Sequence, residues 1–431
     1  MCGIAGFINP NLTRTRQHNE SILNEMAAAL KRRGPDSKGQ WLHKSSLVGL
    51  AHRRLAIIDR SSAGNQPMHS MSRRYCLSYN GEVYNHQELR KLVREADPEI
   101  VWRGESDTET LLASFETFGL EATLKQSIGM FAFAVWDDIE ETLYLARDRF
   151  GEKPLYYGWI GEEFIFASQL SAFMQHPEFT PEPDRESVSL YFQRSYVPEP
   201  RSIFKNVRKL TPGTILKVSS RDKSELKIHY WEPSSAILKA KMNPFNLSQQ
   251  EAVIELERLL RKSTNQCMLS DTPVGAFLSG GVDSSTIVSM MCEISSSPIE
   301  TFTIGYEDPK YNEAIGAREI AKHLGTKHTE LYVSPNEVAR QVNQIAAAYD
   351  EPFADPSQLP AIIISQLSRG SITVALTGDG GDEIFGGYNR YVLSDRYARR
   401  MQMMPSALRK LLSKSLTSMR PEDLDRIFSF L

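Results

Sequence analysis

LSGGVDSS, residues 278–285, follows the apolar run VGAFL at 274–278, and its reading decides how the second half of the chain is built. The apolar run predicts a buried strand ending at Leu278. Gly280 and Gly281 predict a tight turn, with a helix opening at Asp283 or Ser284. N–H groups left exposed at a helix start attract anions, and adjacent glycines let phosphates approach. The lysine of a GxxxxGK[ST] loop is absent, so this phosphate-binding turn is of another kind. A generic glycine-rich turn is the plainer alternative. Asp283 can supply an oxygen to Mg²⁺, an ion that also takes phosphate oxygens.

Working outward, helix and strand alternate. Helices are expected at 251–268, 283–294, 313–324 and 336–349. Strands are expected at 300–304 (ETFTI), 328–333 (HTELYV) and 372–376 (ITVAL). Such alternation implies βαβ crossovers and an α/β parallel sheet, with ligands at the carboxyl ends of its strands. A second glycine-rich run, LTGDGGDEIFGGYNRY (376–391), follows the last strand. Its glycines and Asp379, Asp382 and Glu383 suit a turn that approaches phosphate while holding a cation; an acidic surface loop is the alternative.

Upstream the texture differs. Short β-branched or aromatic runs at 47–58, 75–85, 130–138, 142–148, 154–159 and 163–168 are separated by Gly, Asn, Asp and Glu. Helical patterns lie at 20–31, 86–95 and 107–118, the last opened by Ser106 with Glu109 completing a capping box. This is an α+β layout with a mainly antiparallel sheet. Between about 176 and 250 the chain is rich in Pro, Ser and charge. The domains are therefore set at 2–200 and 251–431, with 201–250 connecting them.

Bulk properties narrow the function. A chain of 431 residues exceeds what one core usually serves. Fifty basic against 53 acidic residues leave a net charge of −3, which offers nucleic acid no basic surface. No apolar run is long enough for a membrane span and the start lacks a secretory pattern, so a cytoplasmic location is expected. Cysteines 76, 267 and 292 read as small hydrophobes, since the four cysteines form no CxxC pair.

Cys2 differs because of its place. Were Met1 removed, Cys2 would carry its own base, an α-amino group that can take the thiol proton; a chance cysteine is the alternative. Asn80 and the Gly81 N–H, in NGE, can hold an oxyanion, or form a hairpin turn. Arg54 can grip a carboxylate with two parallel hydrogen bonds, while Glu82 and Asp107 can accept from an ammonium. Each also has a plainer reading, Arg54 as a surface arginine and Asp107 as a helix-start carboxylate.

MCGIAGF (1–7), RRGPDSKG (32–39), AHRRLAIID (51–59), YNGEVYNH (79–86) and GESDTE (104–109) together resemble class II glutamine amidotransferase domains. SGGVDSS resembles the pyrophosphate loop of N-type ATP pyrophosphatases. The whole chain is similar to the glutamine-hydrolysing asparagine synthetase family. That resemblance implies an N-terminal-nucleophile hydrolase-like sandwich followed by a synthetase domain of the ATP pyrophosphatase type. It implies that Cys2 is the nucleophile, Asn80 and Gly81 the oxyanion hole, and Arg54, Glu82 and Asp107 the glutamine holders, with the Ile57 and Ile58 backbone lining the pocket. Arg33 to Asp36 would close over the substrate.

In the synthetase half the resemblance implies ATP contacts from Leu278, Ser279, Gly280, Gly281, Val282, Asp283, Ser284, Ser285, Ile304, Thr377 and Gly378. Asp379 would assist adenylate formation, and Asp283 and Asp382 would bind Mg²⁺. The implied reaction turns aspartate, ATP and glutamine into asparagine, AMP, pyrophosphate and glutamate. The assembly implied is a homodimer. Alternatives are amidation of another carboxylate such as a sugar acid, a β-lactam-type ring closure, and a non-catalytic scaffold. YDEPFADPSQLP (349–360) reads either as a shaped loop near the acceptor or as a surface loop. Family members usually run longer, so further acceptor and nucleotide contacts are expected beyond residue 431.

Overall fold

Short apolar, β-branched and aromatic runs draw the first half of the chain into two six-stranded sheets, and all of their strand pairs run antiparallel. The computed structural model describes residues 1–12, 14–45, 47–309 and 312–420; residues 421–431 of the expected second domain lie outside it. The first sheet runs Arg208–Lys209, Tyr156–Ile160, Glu163–Ala167, Gly3–Ile8, Val48–Arg54, Ser37–Leu42. The second runs Glu225–His229, Thr214–Ser219, Thr142–Arg147, Gly129–Asp137, Tyr75–Val83, Met68–His69.

The sheets share one core, in which Ile4, Val48 and Leu50 meet Ala132, Trp136 and Leu145. Helix Arg16–Ala29 covers the outer face of the first sheet with Ile22, Leu23 and Met26. Helix Asp107–Phe118 covers the second with Leu111, Leu112 and Phe115. The result is a sandwich of four layers, αββα.

The second domain holds a four-stranded sheet in the order Lys327–Val333, Glu300–Tyr306, Val274–Phe277, Val374–Leu376, every pair parallel. Helices Val282–Ile294 and Ala314–Leu324 pack on it through Val288, Met291, Ala317 and Ala321. From Val274–Phe277 the chain moves outward on one side and then returns for Val374–Leu376 on the other. The loops after these two strands therefore lie side by side at the switch point, where such sheets bind ligands. Among the described residues no helix is long and apolar enough to cross a membrane.

Two expectations need correction, and one strand is new. Strands Arg208–Lys209, Thr214–Ser219 and Glu225–His229 belong to the sandwich, so most of 201–250 is not a connector. Leu210 and Leu216 are wholly buried there despite the polar composition around them. Strand Gly3–Ile8 carries no alternation in its sequence because it is buried on both faces. At Ser106 only half the capping box forms. The hydroxyl accepts from Glu109 N–H at 3.2 Å, but the Glu109 carboxylate takes the N–H groups of Arg103 and Gly104.

Candidate active site: two clefts with a common wall

Cys2 stands at the head of strand Gly3–Ile8, so the sheet itself places the sulfur. Its Sγ lies 3.4 Å from the Leu55 N–H and 3.6 Å from the Leu55 carbonyl. The Arg33 Nε–H donates to the Cys2 carbonyl at 2.8 Å, and the Asp36 carboxylate accepts from Ala56 N–H at 2.9 Å. The loop at 33–36 is thus packed against Cys2 and the 55–56 backbone beside it. Burial pushes the Cys2 thiol pKa up, which favours the neutral thiol over the thiolate. Met1 shares the cleft, and removing it would put the α-amine on Cys2 itself.

The cleft is lined by Cys2, Arg54, Ile57, Ile58, Asn80, Gly81, Glu82 and Asp107, with Gln66, Tyr79, Met130 and Lys153. Residues 80–82 lie within the nine-residue strand Tyr75–Val83, which removes the hairpin reading. The Asn80 side chain is 1 % exposed, and neither its oxygen nor its nitrogen has a partner among the described residues. A buried amide with nothing to bond is costly unless a ligand supplies the bond.

Strand alternation treats Gly81 similarly. Tyr79 N–H goes to Gln66 Oε1 at 2.7 Å and Val83 N–H to Asp107 Oδ2 at 3.0 Å. The Gly81 N–H points to the same side between them, with no protein partner among the described residues. A Cβ at Gly81 would lie 2.6 Å from Phe131 Cα, so the neighbouring strand demands glycine here.

The two acids differ. Asp107 Oδ2 accepts from Tyr79 OH at 2.8 Å as well as from Val83. Glu82 is 5 % exposed, and burial, then the nearby Asp107, pushes its pKa up to about 8. Arg54 is occupied: its guanidinium donates to the carbonyls of Ser61 (3.0 Å), Ile58 (3.4 Å) and Asp59, and to Asn65 Oδ1 (3.3 Å). A carboxylate reaching Arg54 would displace some of these bonds.

The second cleft, of about 660 Å³, lies at the switch point of the parallel sheet. Val282, Asp283, Thr377, Gly378 and Asp379 line it, with Thr286, Phe385 and helix residues Leu256, Leu260, Thr264 and Cys267. Helix Val282–Ile294 begins after Gly281 with no side-chain cap, which leaves its first N–H groups available to an anion. The Ser279 and Ser284 hydroxyls bond at 2.8 Å and brace the turn. A Cβ at Gly378 would sit 2.7 Å from Ser284 N, and one at Gly381 would sit 2.6 Å from an Asp283 carboxylate oxygen. Thr377 Oγ1 donates to Asp379 Oδ2 at 2.9 Å.

Ser279, Gly280, Gly281, Ser284 and Ser285 form the turn beside this cleft without lining it. Leu278 is 2 % exposed inside the core, and Ile304 and Asp382 also lie outside the lining. Asp283 beside the glycine cradle suits Mg²⁺, which needs only one or two carboxylates when phosphates complete its shell. Among the described residues no three His, Cys, Asp or Glu gather into an all-protein metal site.

Three more residues lie at or behind the clefts. His52 is 1 % exposed, bonds the Tyr79 carbonyl through Nε2 at 3.0 Å, and burial lowers its pKa to about 4. Lys153, from DRFGEKPLYY, faces the first cleft, while its neighbour Glu152 faces the second. A lysine inside a run of aromatic and apolar residues was the available signal. Glu82 and Met130 line both clefts, a relation no local pattern encodes.

Among known proteins, residues 1–231 match the glutamine amidotransferase domain family and residues 255–427 the asparagine synthase family. Asparagine synthetase (glutamine-hydrolyzing) 1 of Bacillus subtilis is 35% identical over 412 residues, which cover 96% of this chain and 62% of that protein. Putative asparagine synthetase (glutamine-hydrolyzing) 2 of Methanocaldococcus jannaschii is 35% identical over 434 residues, covering 96% and 80%. A putative asparagine synthetase (glutamine-hydrolyzing) of Mycobacterium tuberculosis is 31% identical over 428 residues, covering 96% and 64%. This chain thus spans less than two thirds of the Bacillus and Mycobacterium relatives.

Proposed function

The chain belongs to the glutamine-hydrolysing asparagine synthetase family, and on that premise we propose that it frees ammonia from glutamine at Cys2 and places it on a carboxylate activated by ATP, aspartate being the acceptor. One observation carries this reading: Glu82 and Met130 form a wall common to the thiol cleft and the phosphate-turn cleft. Ammonia released into neutral water is protonated and loses its nucleophilicity, so adjoining clefts suit its transfer.

In the first cleft the Cys2 amine takes the thiol proton and the sulfur attacks the glutamine side-chain amide. The unpartnered Asn80 amide and Gly81 N–H receive the negative charge on oxygen. Collapse expels ammonia and leaves a thioester, which water converts to glutamate. Glu82 and Asp107 meet the substrate ammonium, and Arg54 its carboxylate.

In the second cleft the acceptor carboxylate attacks the α-phosphorus of ATP and pyrophosphate leaves. Residues 279–285 and the uncapped helix start hold the departing phosphates. Thr377 and Gly378 contact the nucleotide, and Asp379 assists adenylate formation. Mg²⁺, held by Asp283, would neutralise phosphate charge there. Ammonia then displaces AMP.

Incubation with glutamine, ATP, Mg²⁺ and aspartate tests the scheme, with glutamate, AMP and asparagine quantified together. Equal amounts are expected. Glutamate without AMP would remove the synthetase half, and glutamate formation no faster than in Cys2→Ala would remove the whole scheme.

A further inference from the structure

Neither cleft uses the acidic, proline-rich run YDEPFADPS at 349–357. Its first two carboxylates turn instead into the sandwich. Glu351 Oε1 accepts from Ile203 N–H at 2.7 Å; Oε2 accepts from Tyr156 OH at 3.3 Å and pairs with Lys209 Nζ at 2.5 Å. The Lys209 and Glu351 side chains are only 14% and 10% exposed. Asp350 accepts from Ser171 N–H at 2.7 Å, in the first turn of helix Leu170–Phe173, and Gln169 Nε2 reaches its other oxygen at 3.4 Å. Ala354 N–H donates to the Ser195 carbonyl at 2.7 Å, and Arg32 to the Ala347 carbonyl at 3.0 Å.

A surface loop would keep these carboxylates hydrated. A carboxylate withdrawn from water persists only where partners replace the lost hydration, and all the partners of Asp350 and Glu351 named here come from the first domain. Next to Arg32, Arg33 bonds the Cys2 carbonyl, so one short segment touches both Cys2 and the end of helix Pro335–Ala348 that leads into this loop.

We propose that residues 350–354 are a clasp seating the synthetase half on the glutaminase half, and that Glu351 is a positioning residue for nitrogen transfer between the clefts. The transfer part rests on the function proposed above. Glu351→Gln keeps an acceptor for Ile203 but removes the charge facing Lys209; Glu351→Ala removes both. Should the alanine variant fail to fold, Glu351→Gln and Lys209→Met carry the test.

Hydrogen exchange is followed at 168–175, which Glu351 does not touch, together with glutamate formed per amide and amidation from added ammonia. Exchange about fivefold or more faster is expected, as for a docked element set free. Glutamate per amide should rise at least about threefold while ammonia-driven amidation stays within about twofold, since only the seating has changed. Unchanged exchange overturns the clasp, and an unchanged ratio overturns the positioning role. Altered exchange in a protein whose wild type makes no amide supports the clasp and sinks the proposed function instead.

Discussion

Lowering the pH from about 8 to about 6.5 is expected to weaken glutamine binding about 16-fold, close to 1.6 kcal/mol, if Glu82 titrates near 8 and only its ionised form binds the ammonium. The free carboxyl is then protonated about nine times in ten at neutral pH, and the incoming ammonium expels that proton. Burial pushes Asp107 up as well, opposed by the bonds its carboxylate accepts from Val83 N–H and Tyr79 OH. Calorimetric titration of Cys2→Ala with glutamine, in buffers of different ionisation heat, should show about 0.9 proton released at neutral pH. Glu82→Gln should bind with little pH dependence and release none. The same shift acts on stability. The folded-state pKa lies above the ordinary 4.5, so the contribution of Glu82 is fully present below about 4.5 and is lost as the pH rises through about 8. An affinity flat across this window, with no proton release, would refute the assignment.

Cys2→Ala, or a variant that retains Met1, should abolish glutamine hydrolysis yet leave ammonia-driven amidation intact; glutamate and amide assays read the two separately. Asn80→Ala should lower kcat for glutamine hydrolysis about 10²- to 10³-fold with little change in KM. Its thermal stability should hold or rise, because the Asn80 amide has no partner to lose. Gly378→Ala drives a methyl to within 2.7 Å of Ser284 N and should abolish ATP binding in a calorimetric titration while glutamine hydrolysis continues. Trp136→Ala, in the wholly buried core between the sheets, should cost about 3–5 kcal/mol in denaturant unfolding.

Much of the molecule could be read locally. Strand, turn and helix around LSGGVDSS follow from apolar runs punctuated by glycine, and the second domain repeats that logic through Val374–Leu376. The residues 54, 57, 58, 80, 81, 82 and 107 were nameable from motifs, and folding brings them to one cleft with Cys2. The strands at 208–229 were not legible, because in outer strands packing against Leu210 and Leu216 outweighs composition.

Sequence by itself determined which chemical groups the chain owns and the short-range turns that expose them, since both depend on residues within a few positions of each other. Only tertiary structure decided that Gly81 N–H and the Asn80 amide stay unpartnered, that Arg54 is engaged by its own loop, and that Glu82 and Met130 border both clefts. It also turned Asp350 and Glu351 inward. Each of these depends on what a distant strand or domain brings alongside, and burial then sets the protonation of the groups that meet there.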